Sequence, residues 1–322
     1  MRIPELRIAD LIAKIPIIQG GMAIRISLAP LAAAVAEEGG IGLIAGTGLS
    51  IAELVAEIRE ARRRTQGIIG VNIMYASGQF AQLVKAAFEE KIDLLVSGAG
   101  FSRDMFTWGK EYQIPVVPIV STVKLAKISE KLGAAAIIVE GKEAGGHLGT
   151  DRSMREILPE VKQSVDIPVI GAGGVVNGTD VAEVLALGAD GVQMGTRFAL
   201  SEESSAAPAW KEYLLQAQEE DHRYIKSPVG LPGSGVRNAF SDRLEQDAEA
   251  FKPTSCSGCL KHCLRNFCIT DRLNKAQQGD IKEGLIFSGA YFYKIKEILS
   301  VHRIFEGIKN EMLHYRKGAD ST

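Results

Sequence analysis

Three features of this sequence carry residue types that could do chemistry. The first is a pair of glycine turns, GAGGVVNG (171–178) and GTRF (195–198), each following a short apolar run. Turns of this kind let backbone N–H groups approach a phosphate closely, because glycine adds no side chain and tolerates left-handed backbone. Gly173, Gly174, Gly195 and Thr196 are the candidate phosphate donors. The second is EGKEAGGHLGT (140–150), in which Glu140, Glu143 and the pair Gly145-Gly146 lead into His147. A lone histidine is more often a surface or core residue. One on a glycine hinge at a strand end is placed to move a proton near neutral pH. The third is a set of four cysteines, Cys256, Cys259, Cys263 and Cys268, spaced C-x2-C-x3-C-x4-C. Four thiolates so close together can wrap one tetrahedral or cubane centre without help from distant residues. Iron–sulfur and zinc are not separable on the thiolates alone, His262 is a further zinc ligand candidate, and disulfides are the third option.

These residues need a scaffold. Eight compact apolar runs occur at 15–20, 41–46, 68–73, 92–98, 115–120, 135–140, 168–174 and 190–195. None alternates with polar residues, as expected of strands buried on both faces of a parallel sheet. Amphipathic helical stretches such as SIAELVAEIREARRR lie between them. Eight such units in series predict a TIM (β/α)8 barrel, whose ligands bind at the strand C-termini and whose phosphate sites follow strands seven and eight. A doubly wound sheet would open its first strand into GxGxxG, whereas here the run leads into Gln19-Gly20-Gly21-Met22. Residues 1–205 are therefore read as the barrel, 206–285 as a small, mainly helical lid carrying the cysteines, and 286–322 as helices packing back on the barrel. Beyond the barrel, 202–226 reads as helical and 228–238 as loop.

The 322 residues are 46% hydrophobic with a formal net charge of −2, enough to bury a large core and without a basic stripe for nucleic acid. The N-terminal stretch lacks the apolar core of a signal peptide and no segment is long enough to span a bilayer, so a cytoplasmic protein is expected.

QGGMA, GVNI, EGxEAGGHxG, IGAGGV and QMGTRF, in this order and spacing, resemble the nitronate monooxygenase (2-nitropropane dioxygenase) family, which includes the FMN-dependent enoyl-acyl-carrier-protein reductases. The resemblance covers about residues 10–205 and continues weakly over GDIKEGLIFSG. It implies FMN across the barrel mouth. Gly20, Gly21 and Met22 would line the ring, with Asn72 close by. Glu140, Gly145, Gly146 and Gln193 would border the flavin, and Gly173, Gly174, Gly195 and Thr196 would take its phosphate. His147 falls on the family's catalytic histidine and would be acid or base on a small activated substrate. HLG points towards the enoyl reductases. SGAGF lacks the asparagine, and Ser288-Gly289-Ala290-Tyr291 the glutamine, usual near those positions, which leaves nitronate and enoyl substrates both open. NAD(P)H is the reductant in the enoyl reading. The C-x2-C-x3-C opening resembles cluster-bearing flavin enoate reductases, making [4Fe–4S] the first expectation and zinc the second. A cluster would imply an electron-donor protein as partner, and a homodimer is the expected assembly. Two other classes stay open: a flavin/iron–sulfur electron-transfer subunit, and a non-flavin phosphate-binding barrel enzyme.

Overall fold

The computed structural model describes residues 3–319. A short antiparallel pair, β1 (Leu6–Ile8) and β2 (Leu11–Ala13), precedes the barrel. The next six strands are β3 (Ile17–Gln19), β4 (Ile41–Ala45), β5 (Ile68–Asn72), β6 (Leu94–Ser97), β7 (Val116–Val120) and β8 (Ile137–Glu140). After a detour through the two-residue β9 (Gly146–His147), β10 (Val169–Ala172) and β11 (Gly191–Met194) follow. All barrel pairings are parallel, and β11 closes the ring on β3 with Val192 opposite Ile17 and Met194 opposite Gln19. All eight apolar runs thus become barrel strands. Every residue of β4, β6 and β10 is buried, which is why their sequences show no alternation.

The outer helices are α1 (Ala29–Glu37), α2 (Ile51–Arg64), α3 (Phe80–Glu89), α4 (Asp104–Tyr112), α5 (Val123–Leu132), α6 (Met154–Lys162) and α7 (Gly178–Ala186). The start of α2 is set by a capping box in which Ser50 and Glu53 satisfy each other's backbone N–H groups. Gly42 lets α1 ride against β4: a Cβ there would lie 1.9 Å from the Ala32 carbonyl oxygen. After β11 the chain makes only the short α8 (Thr196–Ala199) before leaving the barrel through α9 (Pro208–Gln216).

The lid differs from its sequence reading. Residues His222–Lys226 (β12) and Pro232–Val236 (β13) form an antiparallel hairpin, and β13 also pairs with β9. PGSGV has poor strand propensity. Its pairing is decided by tertiary neighbours, because a Cβ on Gly235 would lie 2.3 Å from the Ile286 carbonyl oxygen, and Val236 N–H donates to that oxygen at 2.9 Å. Two more helices, α10 (Ala239–Gln246) and α11 (Ile269–Gln277), complete the lid around Phe240, Phe267 and Leu285. The last helix, α12 (Val301–Ala319), buries Ile304, Phe305, Ile308 and Met312 in the same core as Val181 of α7 and Val35 of α1. It thereby fills the place in the helix ring that α8 is too short to occupy.

Candidate active site

The strand C-termini and the lid enclose a cavity of about 540 Å³, within the range of small-molecule and cofactor sites. Gly20, Gly21, Met22, Asn72, Glu140, Gly145, Gly146, His147, Gly173, Gly174, Gln193, Gly195 and Thr196 all line it. Residues up to 176 positions apart in the chain meet there because each sits at the end of a barrel strand or in the turn that follows.

The floor is shaped by backbone that has given up side chains. A Cβ on Gly21 would lie 2.3 Å from the Asn72 Cβ, so only glycine fits between the β3 turn and the end of β5. Gly173 (φ 108°) and Gly174 (φ 67°) turn the chain left-handed after β10, and a Cβ on Gly174 would come within 2.8 Å of the Tyr291 ring. Gly195 caps α8, and the Thr196 hydroxyl accepts from the Gly289 N–H at 2.9 Å, which ties the 288–291 segment over these turns. Gln193 holds its side-chain oxygen buried and without a partner in the cavity wall. An unmatched buried acceptor of this kind is a place where a ligand donor fits.

Two carboxyls and a histidine face this space. Glu140, at the end of β8, has no side-chain ion pair, and burial pushes its carboxyl up to about 8. It is therefore mostly neutral near pH 7 and able to donate a hydrogen bond. Glu143 is buried, 5% exposed, and its carboxylate accepts the Met154 N–H at 3.1 Å from the start of α6. His147 is held down to about 4 by burial and is neutral as well. Its Nε2 lies 2.8 Å from the Ser227 Oγ, and its ring stands edge-on to Phe287 with centroids 5.2 Å apart. Glu143 lies inside the histidine motif and Phe287 inside GDIKEGLIFSG, so both had a local signal, whereas nothing local marks Ser227.

The four cysteines do not gather into a metal site, which corrects the expectation of a [4Fe–4S] or zinc centre. All four thiols are free, and among the described residues no group of three or more His, Cys, Asp or Glu side chains is disposed to hold a metal ion. The reason lies in the backbone. The Cys259 carbonyl accepts the Gly78 N–H at 3.0 Å, Lys261 N–H donates to the Ala76 oxygen at 2.9 Å, and Leu264 N–H donates to the Pro228 oxygen at 2.9 Å. The segment is stretched between the barrel rim and the lid hairpin instead of closing on itself. It forms cavity wall, with Ser257, Gly258, Cys259 and Leu260 lining the mouth. Among the described residues, no helix is long and apolar enough to cross a membrane.

Known proteins are similar to this chain in sequence and in fold. The family model described as nitronate monooxygenase matches residues 6–93 and 79–311. A (3aS,4S,5R,7aS)-5-hydroxy-7a-methyl-1-oxo-octahydro-1H-indene-4-carboxyl-CoA dehydrogenase of Rhodococcus jostii (strain RHA1) is 32% identical over 71% of this chain and 65% of its own length. The chain thus matches slightly under two thirds of that relative. A probable nitronate monooxygenase of Staphylococcus aureus (strain JH9) is 29% identical over 72% of the chain and 78% of its own length. The solved structure of FabK from Thermotoga maritima superposes with a TM-score of 0.87 at 34% identity, covering 95% of both chains. Fold and site thus define a (β/α)8-barrel enzyme of an oxidoreductase family. The chain belongs to the nitronate monooxygenase family.

Proposed function

We propose that the cavity holds FMN and that the protein is an FMN-dependent oxidoreductase acting on a small activated substrate, nitronate or enoyl, with His147 as its acid/base group. The observation that carries this reading is convergence. A left-handed glycine turn, the Gly195-Thr196 helix start, an unmatched buried glutamine oxygen and a neutral histidine all face one cavity. Each element suits part of a flavin mononucleotide. Gly173, Gly174, Gly195 and Thr196 present backbone or hydroxyl donors for the phosphate. Gly20, Gly21, Met22 and Asn72 would line the ring, and Gly145 and Gly146 would border it. Gln193 supplies an acceptor and the neutral Glu140 carboxyl a donor for the ring's polar edge. The bound flavin would supply the electron transfer itself.

The chain's own residues do the remaining work. His147 holds or moves a proton at the carbon or oxygen next to the activating nitro or carbonyl group. Phe287, Leu260, Leu273 and Ile24 are apolar residues of the cavity lining and would help keep water from the reacting atoms. In the enoyl reading NAD(P)H is the reductant, and in the nitronate reading molecular oxygen is the acceptor.

The test is an absorption spectrum of the purified chain, followed by titration of flavin-stripped protein with FMN. Flavin bands and saturable binding are expected. Turnover should then be assayed with nitronate and with enoyl thioester plus NAD(P)H, comparing wild type with His147→Ala. Failure to bind FMN would overturn the cofactor assignment, and full activity in His147→Ala would overturn the role of the histidine.

A further inference from the structure

The restraints on His147 come from the lid. Its main chain is paired with β13, opposite Gly233, and the next residue, Leu148, donates its N–H to the Pro232 oxygen at 2.9 Å. Its ring is packed edge-on against Phe287. Its Nε2 is 2.8 Å from the hydroxyl of Ser227, at the turn of the lid hairpin.

Ser227 is completely buried. Its oxygen accepts the Val229 N–H at 3.3 Å, which uses one lone pair. A serine hydroxyl also has one hydrogen to place, and a buried hydroxyl left without an acceptor is costly. Around Ser227 Oγ the acceptor in reach is His147 Nε2. If the serine donates there, Nε2 must be the bare nitrogen of the neutral ring. The proton then sits on Nδ1, the ring nitrogen with no protein partner.

We propose that Ser227 is a positioning residue that fixes His147 in its Nδ1–H form, so that the histidine presents a hydrogen-bond donor to the oxygen of the substrate's activating group. On this account the neutral imidazole hydrogen-bonds a carbonyl or nitro oxygen through Nδ1–H, the proton it passes on when it acts as the acid. The depressed basicity of the buried ring is consistent with this, since a neutral imidazole is the form that can donate from one nitrogen and accept at the other. The proposal rests on the reading of His147 as the acid/base group, and narrows it to the donor side. It also makes the histidine competent only while the lid hairpin is closed on β9, because both the serine and the strand that aligns the ring belong to that hairpin.

The test uses the full chain labelled with 15N-histidine. The His147 signals are assigned among the five histidines by comparison with His147→Gln. The expected wild-type spectrum has a protonated Nδ1 and a hydrogen-bonded, unprotonated Nε2. Ser227→Ala should shift the ring towards the Nε2–H form and lower kcat roughly ten- to a hundredfold, a share of what proton-handling groups supply, while KM changes little. Ser227→Thr, which keeps the hydroxyl, should restore the Nδ1–H signature and most of kcat. A wild-type ring protonated at Nε2, or a Ser227→Ala variant with unchanged signals and turnover, overturns the proposal. Those results would leave the acid/base reading intact as long as His147→Ala is inactive. An active His147→Ala would overturn both.

Discussion

Gly174→Ala is the sharpest probe of the cavity floor, because an equivalent glycine serves as its control. Gly174 has φ 67° and Gly230 in the lid turn has φ 88°. Both substitutions therefore force alanine into left-handed backbone, at a cost of about 1–2 kcal/mol each. Only one of them meets an obstacle. A Cβ on Gly174 would lie 2.8 and 3.0 Å from the Tyr291 ring and 3.1 Å from the Glu143 Cβ, whereas a Cβ on Gly230 would touch nothing within 4 Å. The Tyr291 ring and the turn after β10 must then part by several tenths of an ångström, adding about 1–3 kcal/mol of overpacking strain. If that turn cradles the flavin phosphate, the displacement should weaken FMN binding on the order of tenfold or more, since each 1.4 kcal/mol is a factor of ten. The assay is a fluorescence titration of flavin-stripped protein with FMN, alongside thermal unfolding of both variants without flavin. Gly230→Ala should lose a little stability and bind FMN as the wild type does. Equal FMN affinity in the two variants would refute the placing of the phosphate at this turn.

Two other outcomes follow from the site. Glu140 titrates near 8 in the folded chain against 4.5 unfolded, so the folded state holds more protons over that span and stability falls as pH rises through it. His147, lowered from 6.5 to about 4, acts in the opposite sense and only below 6.5, where stability falls as pH drops. Above pH 6.5 His302, raised by its Glu38 partner, adds to the decline in the same sense as Glu140, so Glu140→Gln should lessen, without abolishing, the fall in melting temperature of flavin-free protein between pH 6.5 and 8. An identical decline in both proteins would show that Glu140 is not buried as described. Replacing Cys256, Cys263 and Cys268 together by serine should leave flavin content and turnover within about twofold of wild type, because these thiols bear on no metal in this fold. Loss of stoichiometric iron or zinc together with activity in that variant would reinstate a metal centre.

The barrel was legible because its signal is local and repeated. Strands buried on both faces read as uninterrupted apolar runs, and eight of them in alternation with helices admit few other architectures. The gathering of the glycine turns and His147 on one cavity was legible for a related reason: a barrel sends every strand C-terminus to one rim, so the turn after a strand arrives there with it. The cysteines misled because spacing shows only that four thiols could meet. Whether they do depends on where the intervening backbone finds its hydrogen bonds, and here those partners are Ala76, Gly78 and Pro228. The lid hairpin was hidden for the same kind of reason, since PGSGV becomes a strand only through its neighbours at β9 and Ile286.

The amino-acid sequence by itself therefore determined the barrel, its order of strands and the set of residues at its rim, because each depends on short-range pattern and on a fold with a single functional face. Tertiary structure alone decided the partners of His147, the burial that keeps it and Glu140 neutral, and the dispersal of the four thiols. These depend on contacts between segments far apart in the chain, such as His147 with Ser227, 80 residues on, which no local pattern records.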